Sequence, residues 1–175
     1  MPHNDEKLSE KLSHAYDEFL HTAKEFIDVT EKEAQPAIQD AVEKTKEKMA
    51  EVTELTAEEI EKISNYVMRD LQDAARYIAF GERELGDWLR IDALYLEDKF
   101  MEAFSKMVDH TKMALNDIEN KAFIASEWHT GEITSAGTLV CEKCGEILHF
   151  KKTGHVPPCP KCHHTVFVRE SEINN

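Results

Sequence analysis

The sequence predicts a mainly α protein, a long antiparallel helical hairpin or bundle followed by a small three-stranded β ribbon. Three observations predict it. Apolar residues recur at steps of three and four through the first 128 residues. All four cysteines fall after that point, in two C-x-x-C pairs. The charge divides at the same place, because Met1 to Trp128 carry 16 basic and 30 acidic residues, a net −14, while the remainder carries five of each.

The first stripe is Leu8, Leu12, Ala15, Phe19, Ala23 and Phe26, which one face of a helix would carry opposite Glu, Lys and Asp. Pro36 should end or kink that helix at about Gln35. A second stripe follows at Ile38, Val42, Thr45, Met49 and Val52. Leu55-Thr56-Ala57-Glu58-Glu59-Ile60 has the form of a helix start: Thr56 can accept from the amide three residues on, Glu59 can reach back, and Leu55 can pack on Ile60. Ile60, Ile63, Val67, Leu71, Ala74 and Ile78 continue the face up to Gly81. A last helical segment is expected from about Glu82 to Trp128, with a broad apolar face and an interruption at Gly86. Roughly 120 residues in three or four helices favour packed neighbours over isolated rods. If the helices formed an open hairpin, part of the Leu8–Phe26 stripe would need a partner helix or a second copy of the chain to cover it.

The division this implies is an acidic helical region over 1–128, a linker over 129–137, a ribbon over 138–170 and a tail over 171–175. No apolar run approaches the roughly 20 residues that span a bilayer, and the start is polar, so the expected location is the cytoplasm, with no membrane partner. Cysteines kept reduced there serve a metal more readily than a disulfide framework.

The cysteines carry the strongest signal. Cys141-Glu142-Lys143-Cys144-Gly145 and Cys159-Pro160-Lys161-Cys162-His163 are two knuckles, each able to turn two sulfurs inward beneath backbone amides. Gly145 suits the left-handed position after the first knuckle, and His163 fits its counterpart less well. Pro160 has no amide, so Lys161 and Cys162 must supply the sulfur hydrogen bonds of the second knuckle. Short strand-like runs surround the knuckles at Thr138–Cys141, Ile147–Phe150 and Thr165–Arg169. A module this small needs its metal, worth on the order of 10 kcal/mol, to fold. Four protein thiolates leave no open coordination position, so Cys141, Cys144, Cys159 and Cys162 are expected to hold one structural Zn2+.

Rubredoxin-type iron sites use nearly the same knuckles. A chain resembling rubrerythrin would also need a di-iron bundle with two inward Glu-x-x-His motifs. The helical part has one, Glu18-x-x-His21, and the other, Glu146-x-x-His149, falls in the ribbon.

The chain is similar to a family of uncharacterised bacterial zinc-ribbon proteins with an N-terminal acidic helical region. The resemblance rests on Trp128-His129-Thr130-Gly131-Glu132-Ile133, on Gly137-Thr138-Leu139-Val140-Cys141-Glu142-Lys143-Cys144 and on Pro158-Cys159-Pro160-Lys161-Cys162, and more loosely on Glu54-Leu55-Thr56 and Arg69-Asp70-Leu71. It implies the four cysteines as zinc ligands and assigns no activity. His129 and Glu132 either form a polar pair able to titrate near neutral pH, or lie in a helix end closed by Gly131 with His129 on the last carbonyls.

The leading expectation for function is a non-enzymatic, zinc-stabilised protein-interaction or regulatory module. A second comes from resemblance to the DnaK-suppressor type of transcription factor, which inserts an acidic hairpin into RNA polymerase; Asp70-Leu71-Gln72-Asp73-Ala74-Ala75 matches its D-x-x-D-x-A tip. The third is nucleic-acid binding by a basic face of Lys143, Lys151, Lys152, Lys161 and Arg169, with Phe150 and Phe167 for stacking. The net charge of −14 argues against it. No phosphate loop, nucleophile elbow or triad spacing is present, so no enzyme is expected.

Overall fold

A computed structural model of the chain describes residues 2–30, 38–79, 84–91, 96–116 and 126–169. Its helices are α1 (Pro2–Thr30), α2 (Ile38–Val52), α3 (Ala57–Ala79), the short α4 (Leu85–Leu89) and α5 (Asp98–Asn116). Every pair among α1, α2, α3 and α5 is in contact, a closed cluster in which the predicted stripes meet. Ala15, Phe19, Ala23, Val42, Met49, Ile63, Val67, Leu71 and Ala74 are buried, joined by Phe104 and Met107 of α5. Each large apolar side chain removed from water there contributes about 1.5–3 kcal/mol. The ends of two stripes stay outside, with Leu8 45% and Val52 61% exposed.

The start of α3 is the capping box the sequence specifies. The Glu59 amide donates to Thr56 Oγ1 at 3.1 Å, and the Thr56 amide donates to Glu59 Oε2 at 2.9 Å. Leu55 packs on the core that contains Ile60.

Among the described residues the helical segment expected from Glu82 to Trp128 is divided into two helices, and Gly86, the expected interruption, lies inside the first of them. Helix α4 closes at Arg90, whose left-handed backbone (φ 48°) lets its amide donate to the Gly86 carbonyl and turns the chain before α5 begins at Asp98. Trp88 stacks on Phe104 with ring centroids 5.6 Å apart, which fastens α4 to α5. The expected break at Pro36, the end at Gly81 and, from the broad apolar face of the last expected segment, Leu94, Tyr95, Ile118 and Phe123 lie outside the described residues.

The second half is antiparallel β. Strands β1 (Trp128–His129), β6 (Val166–Arg169), β3 (Gly137–Cys141) and β4 (Ile147–Phe150) form one sheet in the order β1-β6-β3-β4, while β2 (Ile133–Thr134) pairs with β5 (Gly154–His155). The three predicted runs are thus joined by a fourth strand at the edge. Trp128 pairs with Phe167 and His129 with Val166, so the segment read as a linker carries both an edge strand and β2. Gly131, expected to close a helix, instead turns β1 into β2 at φ 99°. A second small core of Trp128, Leu139, Cys141, Val156, Cys159 and Phe167 fills the module.

Candidate metal centre and its attachment

The two knuckles repeat one backbone design. The Gly145 amide donates to the Cys141 carbonyl at 2.9 Å, and the His163 amide donates to the Cys159 carbonyl at 2.9 Å. Gly145 adopts φ 74° and His163 φ 61°, so the second knuckle places a side chain in the left-handed region that glycine occupies without cost. The Cys141 amide donates to the Glu146 carbonyl at 2.8 Å and the Cys159 amide to the His164 carbonyl at 2.9 Å, which closes each loop.

The four thiol sulfurs lie within 4.8 Å of one another, with Cys141 Sγ to Cys162 Sγ and Cys144 Sγ to Cys159 Sγ each 3.6 Å. Zinc–sulfur bonds of about 2.3 Å directed to tetrahedral corners place sulfurs about 3.8 Å apart, close to the 3.6 Å of these two pairs, so the donor set suits such an ion. Burial works to raise the Cys159 thiol, but the Cys162 and Lys161 amides outweigh it and bring it down to about 7; these are the two donors left once Pro160 has none to give. The Glu146 amide acts to lower the Cys144 thiol, yet burial and the three neighbouring sulfurs push it up to about 12. Among the described residues no other group of His, Cys, Asp or Glu gathers in this way. Glu18 and His21 line a groove on α1, and Glu146 and His149 remain in the ribbon, so no second Glu-x-x-His faces the first.

The module is fastened to the helices by a buried polar network on α3. Asp70 is fully buried and accepts from Tyr16 Oη (2.6 Å), Trp128 Nε1 (2.8 Å), the Ser135 amide (2.9 Å) and Arg69 Nε (3.1 Å). Asp73 accepts from Trp88 Nε1 at 2.8 Å. Arg69 also binds Glu132 and the Ile133 carbonyl, with its guanidinium 5.1 Å from the centre of the Trp128 ring. Burial raises Tyr16 well above the usual phenol range, reinforced by the charge of Asp70. Burial would lower Arg69, but Asp70 and Glu132 outweigh it and hold its proton more tightly.

Arg169 stands at the centre. It is 1% exposed, 4.1 Å from the Trp88 ring centre and 4.8 Å from that of Trp128. Its Nη2 donates to Thr134 Oγ1 at 3.1 Å, while Nε and Nη1 make no hydrogen bond. Burial lowers its proton affinity, and Asp70 and Asp73 resist that. Gly137 permits the arrangement: a Cβ there would lie 2.2 Å from Arg169 Nη1, and its φ of 141° disfavours any other residue.

These contacts reassign several residues. Asp70 and Asp73 sit inside α3 and turn inward onto two indoles, so the D-x-x-D motif is not a hairpin tip. Arg169 and Phe167 are buried and leave the proposed basic stacking face, which keeps only the exposed Lys143, Lys151, Lys152 and Lys161 beside a half-buried Phe150. His129 and Glu132 do come together, at 3.4 Å, with Glu132 also accepting from the His129 amide at 3.0 Å. The network had a faint sequence signal, since Asp70 falls among Ile63, Val67 and Ala74 on the apolar face.

Residues 24–171 match the family model described as a zinc-ribbon containing domain. Proteins named uncharacterized protein YbeL from Escherichia coli strains K12 and O157:H7 are 28% identical over 134 residues, which is 73% of this chain and 79% of theirs. No solved structure matches.

Proposed function

The chain belongs to the zinc-ribbon containing domain family, and we propose that it is a non-enzymatic protein-interaction or regulatory module whose four-cysteine ribbon holds one structural zinc ion. The observation that carries this reading is the convergence of Cys141, Cys144, Cys159 and Cys162 into a closed tetrathiol set with no position left for substrate or water. Zinc bound there supplies folding free energy to a module whose own core contains two of the four ligands. The acidic helices supply the surface for a protein partner or for a second copy of the chain, and their charge opposes nucleic acid. No helix among the described residues is long and apolar enough to cross a membrane. The setting proposed is the cytoplasm, where thiols stay reduced and available to a metal.

The same donor set suits an iron tetrathiolate, the basis of a redox reading. Metal analysis of purified protein separates the two. A colourless sample with one zinc per chain supports the structural role, and a red sample with thiolate-to-iron absorption replaces it.

A further inference from the structure

Strand β6 links the metal site to the junction with the helices, where β2, β3 and β5 also meet them. Strand β6 follows the second knuckle directly and pairs with β3, the strand that ends in the first, with Cys141 opposite Phe167 and the Glu142 amide on the Val166 carbonyl. At its far end β6 delivers Arg169 between Trp88 of α4 and Trp128 of β1, the two indoles that donate to the carboxylates of Asp73 and Asp70. The ribbon's small core includes Cys141 and Cys159 beside Phe167 of β6, so loss of the metal weakens the packing that supports the β1–β6 and β3–β6 pairing. The helical cluster has a larger core, centred on Phe19, Leu20, Met49, Ile63, Leu71 and Phe104, which also takes in Ile133 and Ala136 of the second half.

The junction between them is apolar only in part, at Ile133, Ala136 and the two indoles. It buries Asp70, Asp73 and Arg169, and two guanidinium nitrogens there lack any hydrogen bond. Buried charges repay their desolvation only partly, and both signs regain water if the surfaces part together. An apolar junction would have no such compensation.

We propose that the ribbon is a metal-held clasp on α3. With zinc bound, Arg169 and Trp128 cover Asp70, Asp73 and Trp88. With zinc removed, the clasp releases and this face becomes accessible while the helices remain folded. The proposal rests on the zinc-bound ribbon described above and adds to it a conformational consequence: a face of paired carboxylates and an indole that only the metal-free chain presents.

The experiment uses the full chain and its only two tryptophans, both of which touch Arg169. Zinc is measured first and then withdrawn with a chelator under reducing conditions. Because Trp128 belongs to the ribbon itself, Trp128→Phe leaves Trp88 as the sole reporter on the helical side. The expected result is a red shift of Trp88 emission, greater quenching by acrylamide and faster amide exchange around Asp70–Ala75, all reversed by zinc, with helical circular dichroism retained. Should Trp128→Phe fail to fold, the amide exchange of the unmodified chain gives the same answer. Zinc released with emission and α3 exchange unchanged overturns the clasp and leaves the zinc reading intact. Loss of most helicity with the metal overturns it as well, since no folded face is then uncovered. A chain that holds no tight metal overturns both.

Discussion

Trp128 Nε1 donates to Asp70 Oδ1 at 2.8 Å, a hydrogen bond that joins the first strand of the metal module to the middle of α3 across 58 residues of chain. Both residues are fully buried, and the same carboxylate holds Tyr16 of α1 and the Ser135 amide. One carboxylate thus orders two helices and the ribbon against one another.

Replacement Asp70→Ala should therefore cost about 3–5 kcal/mol, because it strands buried donors and removes the carboxylate that most favours the charge of the buried Arg169. Urea unfolding followed by tryptophan emission measures it. A loss near that of a surface substitution would mean that water replaces the carboxylate.

Gly137→Ala should destabilise by about 1–3 kcal/mol, from a Cβ driven onto Arg169 Nη1 and a backbone conformation that alanine disfavours. Gly86→Ala, where an added Cβ meets nothing, is the comparison, and thermal melts of the two variants should separate clearly.

At the second knuckle the sign reverses. His163→Gly relieves a left-handed non-glycine residue (φ 61°), and the gain, about 1 kcal/mol at most after the greater freedom of glycine in the unfolded chain, should appear as slower zinc loss to a chelator. Faster loss would assign the His163 side chain a role in holding the metal.

Asp17 should make stability depend on pH in the acid range. Burial raises its carboxyl above the ordinary value, against the hydrogen bond from Thr153. The folded chain therefore binds this proton more tightly than the unfolded chain, and Asp17 withdraws stability as pH rises through the window above the ordinary carboxyl value. Asp17→Asn should be more stable than the parent at pH 7, with the difference shrinking as pH falls through that window toward the ordinary carboxyl value. An unchanged or lower stability at pH 7 would contradict this.

Tyr16 acts at the other end. Its raised phenol favours the protonated form in the folded chain, so stability is complete below the ordinary tyrosine value near 10 and is lost as pH rises beyond it. Tyr16→Phe should remove that alkaline loss.

What the sequence made legible follows from how local each signal is. The Cys141/Cys144 and Cys159/Cys162 spacing specifies a donor set within two short turns, and the Thr56/Glu59 box specifies a helix start within one. The stripe through Ile63, Val67, Leu71 and Ala74 marks a buried face by period alone. The edge strand at Trp128–His129 was hidden because two residues carry no alternation, and only β6 gives them a partner. Arg169 read as surface charge because its burial depends on two indoles distant in sequence and on the space left at Gly137. The break at Arg90 was equally hidden, since a left-handed arginine has no mark in composition.

The most direct test of the central claim is the metal content of the full chain purified without added metal, beside that of its Cys141→Ser/Cys144→Ser variant. The account predicts one zinc per chain in the parent and none in the variant, with the variant's helical circular dichroism largely kept. A parent without zinc, or a variant that retains it, would contradict the tetrathiol centre on which the ribbon's fold is built.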